Sequence, residues 1–171
     1  NIFFWRSFIG LMSKVYFSIG SNKGNRSGLI NEAIDKIDIA IGRVELKSNI
    51  YETKSWGFNS NNFYNICLLI ESSISPDLIL NKILIIEKEM GRLKTGDQYN
   101  DRCVDIDILF VDDIIVNSKN LIIPHPRIQL RKFVLTPMLD LAPDLIHPIL
   151  NKSIRQLELE CDDNDQPIKI D

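Results

Sequence analysis

Hydrophobic and polar positions along the chain follow two periods, and each period predicts a different kind of element. Strand-like alternation or a short apolar run occurs in four segments: 15–20, 43–56, 63–72 and 102–110. Apolar residues at helical spacing occur in three further segments: 29–41, 77–90 and 132–142. We expect a short additional strand near Ile114–Val116.

Residues with known capping preferences mark the ends of the first two predicted helices. Ser27 is the expected N-cap of the first helix. Ser75 is the expected N-cap of the second, with Pro76 at its first position, and this helix should end at Gly91.

The order of the elements predicts the fold class. The order β-α-β-β-α-β is the split-βαβ pattern, so we expect an α+β fold with a ferredoxin-like antiparallel sheet and helices packed on one face. Residues 12–161 are assigned to a single domain, and the acidic tail at 162–171 is expected to be frayed. Residues 1–11 are apolar but short and interrupted by Arg6, so we interpret them as an extension outside the fold.

Composition and charge narrow the possible functions. The chain has 171 residues, of which 44% are hydrophobic and 25% are charged, with a formal net charge of −3. Such a chain can form one core, and its negative charge disfavours nucleic-acid binding through bulk charge. Cys67, Cys103 and Cys161 are odd in number and form no CxxC pair, so we expect free thiols in a reducing cytoplasm.

Two aspartates lie on a strand that otherwise belongs to the core. In the segment RCVDIDILF, alternation puts Asp105 and Asp107 on one face and the neighbouring valine and isoleucines on the other. The two carboxylates are about 6.6 Å apart along the strand and repel each other, so they need cations, protonation or full solvation. Full solvation is the simplest explanation for a DxD pair taken alone.

Basic side chains near this strand favour a metal–phosphate site instead. They precede and follow the aspartates in sequence, at Arg92, Lys94, Arg102, His125, Arg131 and Lys132. Carboxylate oxygens suit Mg²⁺ and guanidinium groups suit phosphates, so the set predicts a site for a metal–triphosphate complex. Structural zinc is disfavoured, because neither the cysteines nor the histidines have ligand spacing. The turn GSNKGNR lacks the Walker pattern and is interpreted as a strand-to-helix turn.

The strand that begins at Phe63 predicts a second surface with chemical character. Alternation places Phe63 and Asn65 on the same face. A ring that can stack, beside an amide that can donate and accept, suits a flat heteroaromatic ligand. The ordinary alternative is that Phe63 belongs to the core and that Asn65 is a polar edge residue.

Taken together, these segments resemble the 6-hydroxymethyl-7,8-dihydropterin pyrophosphokinase family of folate biosynthesis. The resemblance covers about Val15 to Leu157 and rests on SIGSNKGNR, YETKSWG, FYN, EKEMGR, RCVDIDILF, IPHPR and RKFVLTPMLDLAP. The most specific part is R-x-x-D-I-D-I-L with PHP-x₄-R-x-F downstream. The resemblance implies pyrophosphoryl transfer from ATP to the hydroxymethyl group of the pterin, with release of AMP.

The resemblance also implies a role for each matching residue. Asp105 and Asp107 would bind two Mg²⁺ ions and act in catalysis with Arg92 and Arg102. The implied pterin site consists of Thr53, Trp56, Phe63, Asn65 and Phe133, with the two phenylalanines as a sandwich. The implied ATP site consists of Leu80, Glu87, Lys94, Tyr99, Ile108, His125 and Arg131. A monomer that acts on small molecules, without a nucleic-acid or membrane partner, is expected.

The sequence also departs from the family pattern and leaves rival functions open. Tyr99-Asn100-Asp101 replaces a frequent Trp-Gly-Pro before Arg102, and Phe63 replaces a frequent tyrosine. These departures affect nucleotide affinity and loop stiffness rather than the type of reaction. A ligand-sensing or RNA-binding ferredoxin-like module is the non-catalytic alternative, but the first strand, VYFSIG, lacks the RNP motif and the net charge is negative. A metal-dependent nucleotidyltransferase, which would release pyrophosphate instead of AMP, is the nearest enzymatic alternative.

Overall fold

The computed structural model describes residues 12–55, 61–91 and 103–170. The strands are β1 (Ser13–Ser21), β2 (Arg43–Lys47), β3 (Tyr51–Thr53), β4 (Phe63–Ser72), β5 (Asp105–Val111), β6 (Val116–Asn117), β7 (Ile122–Ile123) and β8 (Ile168–Lys169). The helices are α1 (Arg26–Ala40), α2 (Pro76–Glu89), α3 (Lys132–Leu141) and α4 (Ile154–Leu159), with a 3₁₀ turn at Ile128–Leu130.

The main sheet is antiparallel, with β1 and β4 at its centre. The strand order is β5-β1-β4-β3-β8, and β2 pairs with β4 next to β3. β6 and β7 form a separate two-stranded sheet. The α+β class and the antiparallel sheet are therefore confirmed.

The sheet has a hydrophobic core on each face. On one face, alternate residues of β1, β4 and β5 such as Phe17 and Leu68 pack against α1 and α2. On the other face, the intervening residues such as Tyr16 and Leu69 pack against α3 and α4. The expectation of helices on one face therefore holds for α1 and α2 only. β1 and β4 are apolar on both faces, and such near-continuous apolar strands are typical of sheets buried on both sides. Each face of the sheet therefore packs against helices.

Local hydrogen bonds shift several predicted boundaries. The N-cap of α1 is Asn25 rather than Ser27, because the Asn25 side chain accepts a hydrogen bond from the Gly28 amide at 3.1 Å. The N-cap Ser75 and the helix end before Gly91 are confirmed. The short strand predicted at 114–116 lies at Val116–Asn117.

The predicted long strand at 43–56 is broken between β2 and β3. Ser48 is buried at the break, and its hydroxyl accepts from the Cys67 amide and donates to the Asn49 carbonyl. At this point the Ser48 hydroxyl takes the place of a backbone carbonyl as the acceptor for the Cys67 amide, and the regular ladder is interrupted. Residues 56–60 lie outside the described residues.

The tail is not frayed as expected, because β8 pairs with β3. Tyr51 and Glu52 lie opposite Lys169 and Ile168, and the Ile170 amide donates to the Ile50 carbonyl at 2.9 Å. The backbone of β3 would otherwise be an unpaired sheet edge, which another strand readily covers. Among the described residues, no helix has the length and apolar character needed to cross a bilayer.

Candidate active site

Side chains from three neighbouring strands meet on the face of the sheet that α3 covers. Gly20 of β1 lies opposite Asp105 of β5 on one side and opposite Asn65 of β4 on the other. Neighbouring strands are about 4.8 Å apart, so β5 with Asp105 and β4 with Asn65 are about 10 Å apart on either side of Gly20. The structure thus places a carboxylate and an amide on either side of a strip without side chains.

Gly20 keeps this strip open. A Cβ atom at Gly20 would lie 3.1 Å from Asn65 Oδ1 and 3.6 Å from Phe63 Cδ1. Any larger residue would therefore fill the space in front of the Asn65 amide. Gly20 was not among the predicted site residues, although a glycine inside a buried strand is a signal of close approach by another group.

The Asn65 amide is held in one orientation by Thr53. Both residues are buried, and Asn65 Nδ2 donates a hydrogen bond to Thr53 Oγ1 at 2.7 Å. Because the amide nitrogen is engaged, Asn65 Oδ1 faces Gly20 and can accept a hydrogen bond from a ligand. The two residues that the resemblance assigned to one pocket are in direct contact.

The two predicted stacking rings come from different layers of the fold. Phe63 lies at the start of β4 on the same face as Asn65, and Phe133 lies on α3, which packs against β4 and β3. Both rings are partly exposed. The Arg131 guanidinium lies 5.4 Å from the centre of the Phe133 ring. One wall of the site is therefore sheet and the other is helix.

The aspartate pair has the orientation that the alternation predicted. Asp105 and Asp107 are partly exposed, whereas Ile106 is buried in the core on the opposite face. Asp107 Oδ2 lies 3.4 Å from Arg131 Nη1, and the Arg131 side chain is only 11% exposed. A buried guanidinium therefore compensates one of the two carboxylates, and the pair is not merely a solvated strand face.

His125 approaches the same carboxylate as a neutral side chain. His125 Nδ1 accepts a hydrogen bond from the Arg127 amide at 3.2 Å, and Nε2 lies 3.8 Å from Asp107 Oδ2. Burial and the nearby charges of Arg131 and Arg127 lower the pKa of His125 to about 4, although Asp105 acts in the opposite direction. The imidazole is therefore uncharged at neutral pH, and its Nε2–H points toward Asp107.

The donor set fits a cation that uses few protein ligands. Within 12–55, 61–91 and 103–170, no group of three or more His, Cys, Asp or Glu side chains could hold a metal. Mg²⁺ suits such a site, because it commonly keeps several waters and binds one or two carboxylates together with substrate phosphates. Asp105 and Asp107 are the two carboxylates available for such a role.

Three predicted residues lie on the opposite face of the sheet, Ile108 in β5 itself and Leu80 and Glu87 on α2. Glu87 of α2 is 2% exposed and accepts a hydrogen bond from the Ile106 amide at 2.9 Å. Its carboxylate thus contacts the backbone between the two aspartates, at the edge of the sheet. Leu80 and Ile108 both pack in the core with α1 and α2. Arg92, Lys94, Tyr99, Arg102 and Trp56 lie outside the described residues.

Comparisons with known proteins show similarity over most of the chain. The family model described as 7,8-dihydro-6-hydroxymethylpterin-pyrophosphokinase matches residues 16–143. The 2-amino-4-hydroxy-6-hydroxymethyldihydropteridine pyrophosphokinase of Aquifex aeolicus is 39% identical over 150 residues, which are 87% of this chain and 92% of the relative. The folic acid synthesis protein fol1 of Pneumocystis carinii is 45% identical over 82% of this chain, but the match spans only 19% of that longer protein.

Solved structures give the same picture of the fold. A crystal structure of an HPPK-DHPS in complex with substrates has a TM-score of 0.72 at 14% identity, covering 86% of this chain and 43% of that one. Wild-type Plasmodium falciparum HPPK-DHPS has a TM-score of 0.70 at 17% identity, covering 88% and 45%. At these identities the likeness concerns the fold alone.

Proposed function

The chain belongs to the 7,8-dihydro-6-hydroxymethylpterin-pyrophosphokinase family, and from this premise we propose which side chains bind the pterin, the metal and ATP. The domain transfers a pyrophosphoryl group from ATP to hydroxymethyldihydropterin in folate synthesis. The pterin hydroxyl oxygen forms a bond to the β-phosphorus as its O–H bond breaks, with Asp107 as the nearest group to accept the proton. The bond from that phosphorus to the α–β bridging oxygen breaks, and AMP leaves. The row Asp105–Gly20–Asn65 is the observation on which the assignment rests.

The pterin would lie next to Gly20, with one edge of its ring system toward the Asn65 amide. Asn65 Oδ1, fixed by Thr53, would accept from a ring N–H or amino group at the pterin edge. Phe63 from the sheet and Phe133 from α3 would stack on the two faces of the ring. The hydroxymethyl group would then extend across β1 toward Asp105, where the reaction takes place.

Asp105 and Asp107 would hold the metal, which we propose to be two Mg²⁺ ions. Bound Mg²⁺ supplies charge neutralisation for the triphosphate and makes the attacking hydroxyl more acidic. Both carboxylates belong to β5. The backbone of β5 between them is held by the hydrogen bond from the Ile106 amide to the Glu87 carboxylate. This rigidity keeps both carboxylates aimed at the same region of the cleft.

ATP would lie along the outer edge of β5. On the α2 side, Leu80 and Glu87 lie next to Ile108 of β5. On the other side, His125 and Arg131 lie next to Asp107. Arg131 would supply fixed positive charge, whereas neutral His125 would donate a hydrogen bond through Nε2–H. By resemblance, we assign Arg92, Arg102, Lys94 and Tyr99 to the phosphates and the nucleotide, and Trp56 to the pterin.

The domain is proposed to act as a monomer on small molecules. Its net charge of −3 is consistent with the absence of a nucleic-acid partner. We also propose a reducing compartment such as the cytoplasm, because Cys67, Cys103 and Cys161 are all free thiols.

Product analysis tests the proposed reaction against its alternatives. The protein is incubated with ATP, Mg²⁺ and 6-hydroxymethyl-7,8-dihydropterin, and the nucleotide products are separated. We expect AMP that forms only when the pterin is present, and loss of this activity in Asp105→Ala. Release of pyrophosphate would indicate a nucleotidyltransferase. Pterin binding without turnover would indicate a sensing module.

A further inference from the structure

Asp140, near the end of α3, accepts several hydrogen bonds from the segment between β2 and β3. Asp140 Oδ2 accepts from the Asn49 amide at 2.9 Å and from Asn49 Nδ2 at 2.8 Å. The Tyr51 hydroxyl lies 3.2 Å from both carboxylate oxygens. We refer to Asp140, Asn49 and Tyr51 as the α3–β3 joint.

The helix itself does not explain an aspartate at this position. A negative charge near the C-terminus of a helix opposes the helix dipole and costs about 0.3–1 kcal/mol. The last turn of α3 contains no basic residue that would offset this cost. The charge-assisted hydrogen bonds from the 49–51 segment are therefore the interactions that favour a carboxylate here.

The joint connects the two walls of the proposed pterin slot. Phe133 precedes Asp140 by seven residues, which places both on one side of α3, about 10.5 Å apart along the axis. Tyr51 precedes Thr53 by two residues on the same side of β3 and lies opposite Asn65. The helix wall and the sheet wall are thus fastened together about two helical turns from Phe133.

The sheet side of the joint is itself anchored to β4. The Ser48 amide donates to the Cys67 carbonyl at 3.0 Å, and the Ser48 hydroxyl accepts from the Cys67 amide at 2.9 Å. The break between β2 and β3 therefore has two consequences. The Asn49 amide is free of the sheet and donates to Asp140. The neighbouring Ser48 is bonded to Cys67 of β4, so α3 is connected through this segment to the strand that contains Asn65.

We propose that Asp140 is a positioning residue that sets the separation between Phe133 and the Asn65–Thr53 wall, and so determines pterin affinity. The inference rests on the proposed function, because it assigns Asp140 to the geometry of the same slot. Asp140 acts through Phe133 and does not touch the substrate. Its loss should weaken pterin binding and leave Mg–ATP binding intact.

Asp38 provides a matched control on the opposite face of the sheet. Like Asp140, it lies in the last turn of a helix and accepts from a backbone amide of the following segment, in this case Val44 at 2.7 Å. Asp38→Ala thus removes a comparable helix–strand hydrogen bond from the α1 side. Asp140→Asn and Tyr51→Phe are milder versions of the test variant, in case Asp140→Ala folds poorly.

Calorimetry on the full chain decides the matter. Mg–ATP-analogue affinity is measured first, and pterin affinity is then measured with Mg²⁺ and a non-hydrolysable ATP analogue present. We expect the pterin Kd to rise about tenfold in Asp140→Ala, which corresponds to about 1.4 kcal/mol, and by less in Asp140→Asn and Tyr51→Phe. The analogue Kd should stay within about twofold, and Asp38→Ala should leave both affinities unchanged. In a Phe133→Ala background, Asp140→Ala should have little further effect, because both changes act on one wall.

Two patterns would overturn the inference. An unchanged pterin Kd in Asp140→Ala, with a lowered Tm, would make Asp140 a purely structural residue. Equal losses of pterin and analogue affinity would indicate general damage rather than a changed slot. Failure of the wild-type protein to bind the pterin would instead refute the proposed function, and the inference would fall with it.

Discussion

Replacing Gly20 by alanine tests the geometry at the centre of the site. The added Cβ would lie 3.1 Å from Asn65 Oδ1, closer than an ordinary contact, and 3.6 Å from Phe63 Cδ1. The backbone at Gly20 does not have the positive φ that would strain an alanine, because the positive-φ glycines of the described residues are Gly24 and Gly91. The fold should therefore tolerate the change.

Pterin binding at the proposed position should be weakened by Gly20→Ala. The methyl group would occupy the strip next to which the pterin is expected to lie, and overpacking of a close-fitting site typically costs about 1–3 kcal/mol. We therefore expect pterin affinity to fall by about 5- to 150-fold. Mg–ATP-analogue affinity should be unchanged, because the proposed positions of the metal and the phosphates are at β5 and beyond it.

The assay for Gly20→Ala combines calorimetry with thermal unfolding. Pterin binding is titrated in the presence of Mg²⁺ and a non-hydrolysable ATP analogue, and Tm is measured on the same samples. A protein with wild-type Tm and clearly weakened pterin binding would support the proposed slot. Wild-type pterin affinity in the variant would refute it, since the ligand could then not lie next to Gly20.

Three further predictions concern the other walls of the site. Asp105→Ala and Asp107→Ala should each lower turnover by several orders of magnitude without a large fall in Tm, and near-wild-type turnover would exclude them as metal ligands. Phe133→Ala should remove a stacking contact worth about 0.5–1.5 kcal/mol in addition to apolar burial, so calorimetry should show weaker pterin binding and nearly unchanged Mg–ATP binding. The pKa of His125 is lowered from 6.5 to about 4, so between these pH values the histidine is protonated in the unfolded chain only. Folding stability should therefore fall through this window as pH decreases, by up to about 3.4 kcal/mol. Chemical denaturation at several pH values gives the free energy of unfolding as a function of pH. This free energy should change less with pH in His125→Gln than in the wild type, and an equal dependence in both proteins would contradict the lowered pKa.

The parts of the site that depend on strand alternation could be predicted from the sequence. A period of two residues is a local property, so the orientation of Asp105 and Asp107 and the shared face of Phe63 and Asn65 followed from the order of residues alone. The resemblance supplied Thr53 as a further member of the pocket, and the structure places it in contact with Asn65.

The features that the sequence analysis missed depend on contacts between distant segments. The second helical layer, the break at Ser48 and the pairing of β8 with β3 are set by partners far away in the chain. The neutral state of His125 was missed for a different reason. Arg127 and Arg131 are near it in the sequence, but its burial, which is the largest cause of the lowered pKa, depends on the folded chain. The apolar runs of β1 and β4 indicate that both faces of the sheet need a cover. Which segments provide that cover, and which strand pairs with the edge of β3, depends on the rest of the fold.

Following the phosphorus atoms of ATP tests the central claim most directly. The wild-type protein is incubated with Mg²⁺, the pterin and ATP labelled at either the α- or the β-phosphorus. The account predicts that the α-label appears in AMP and the β-label in the pterin product. An α-label on the pterin, with release of pyrophosphate, would contradict it.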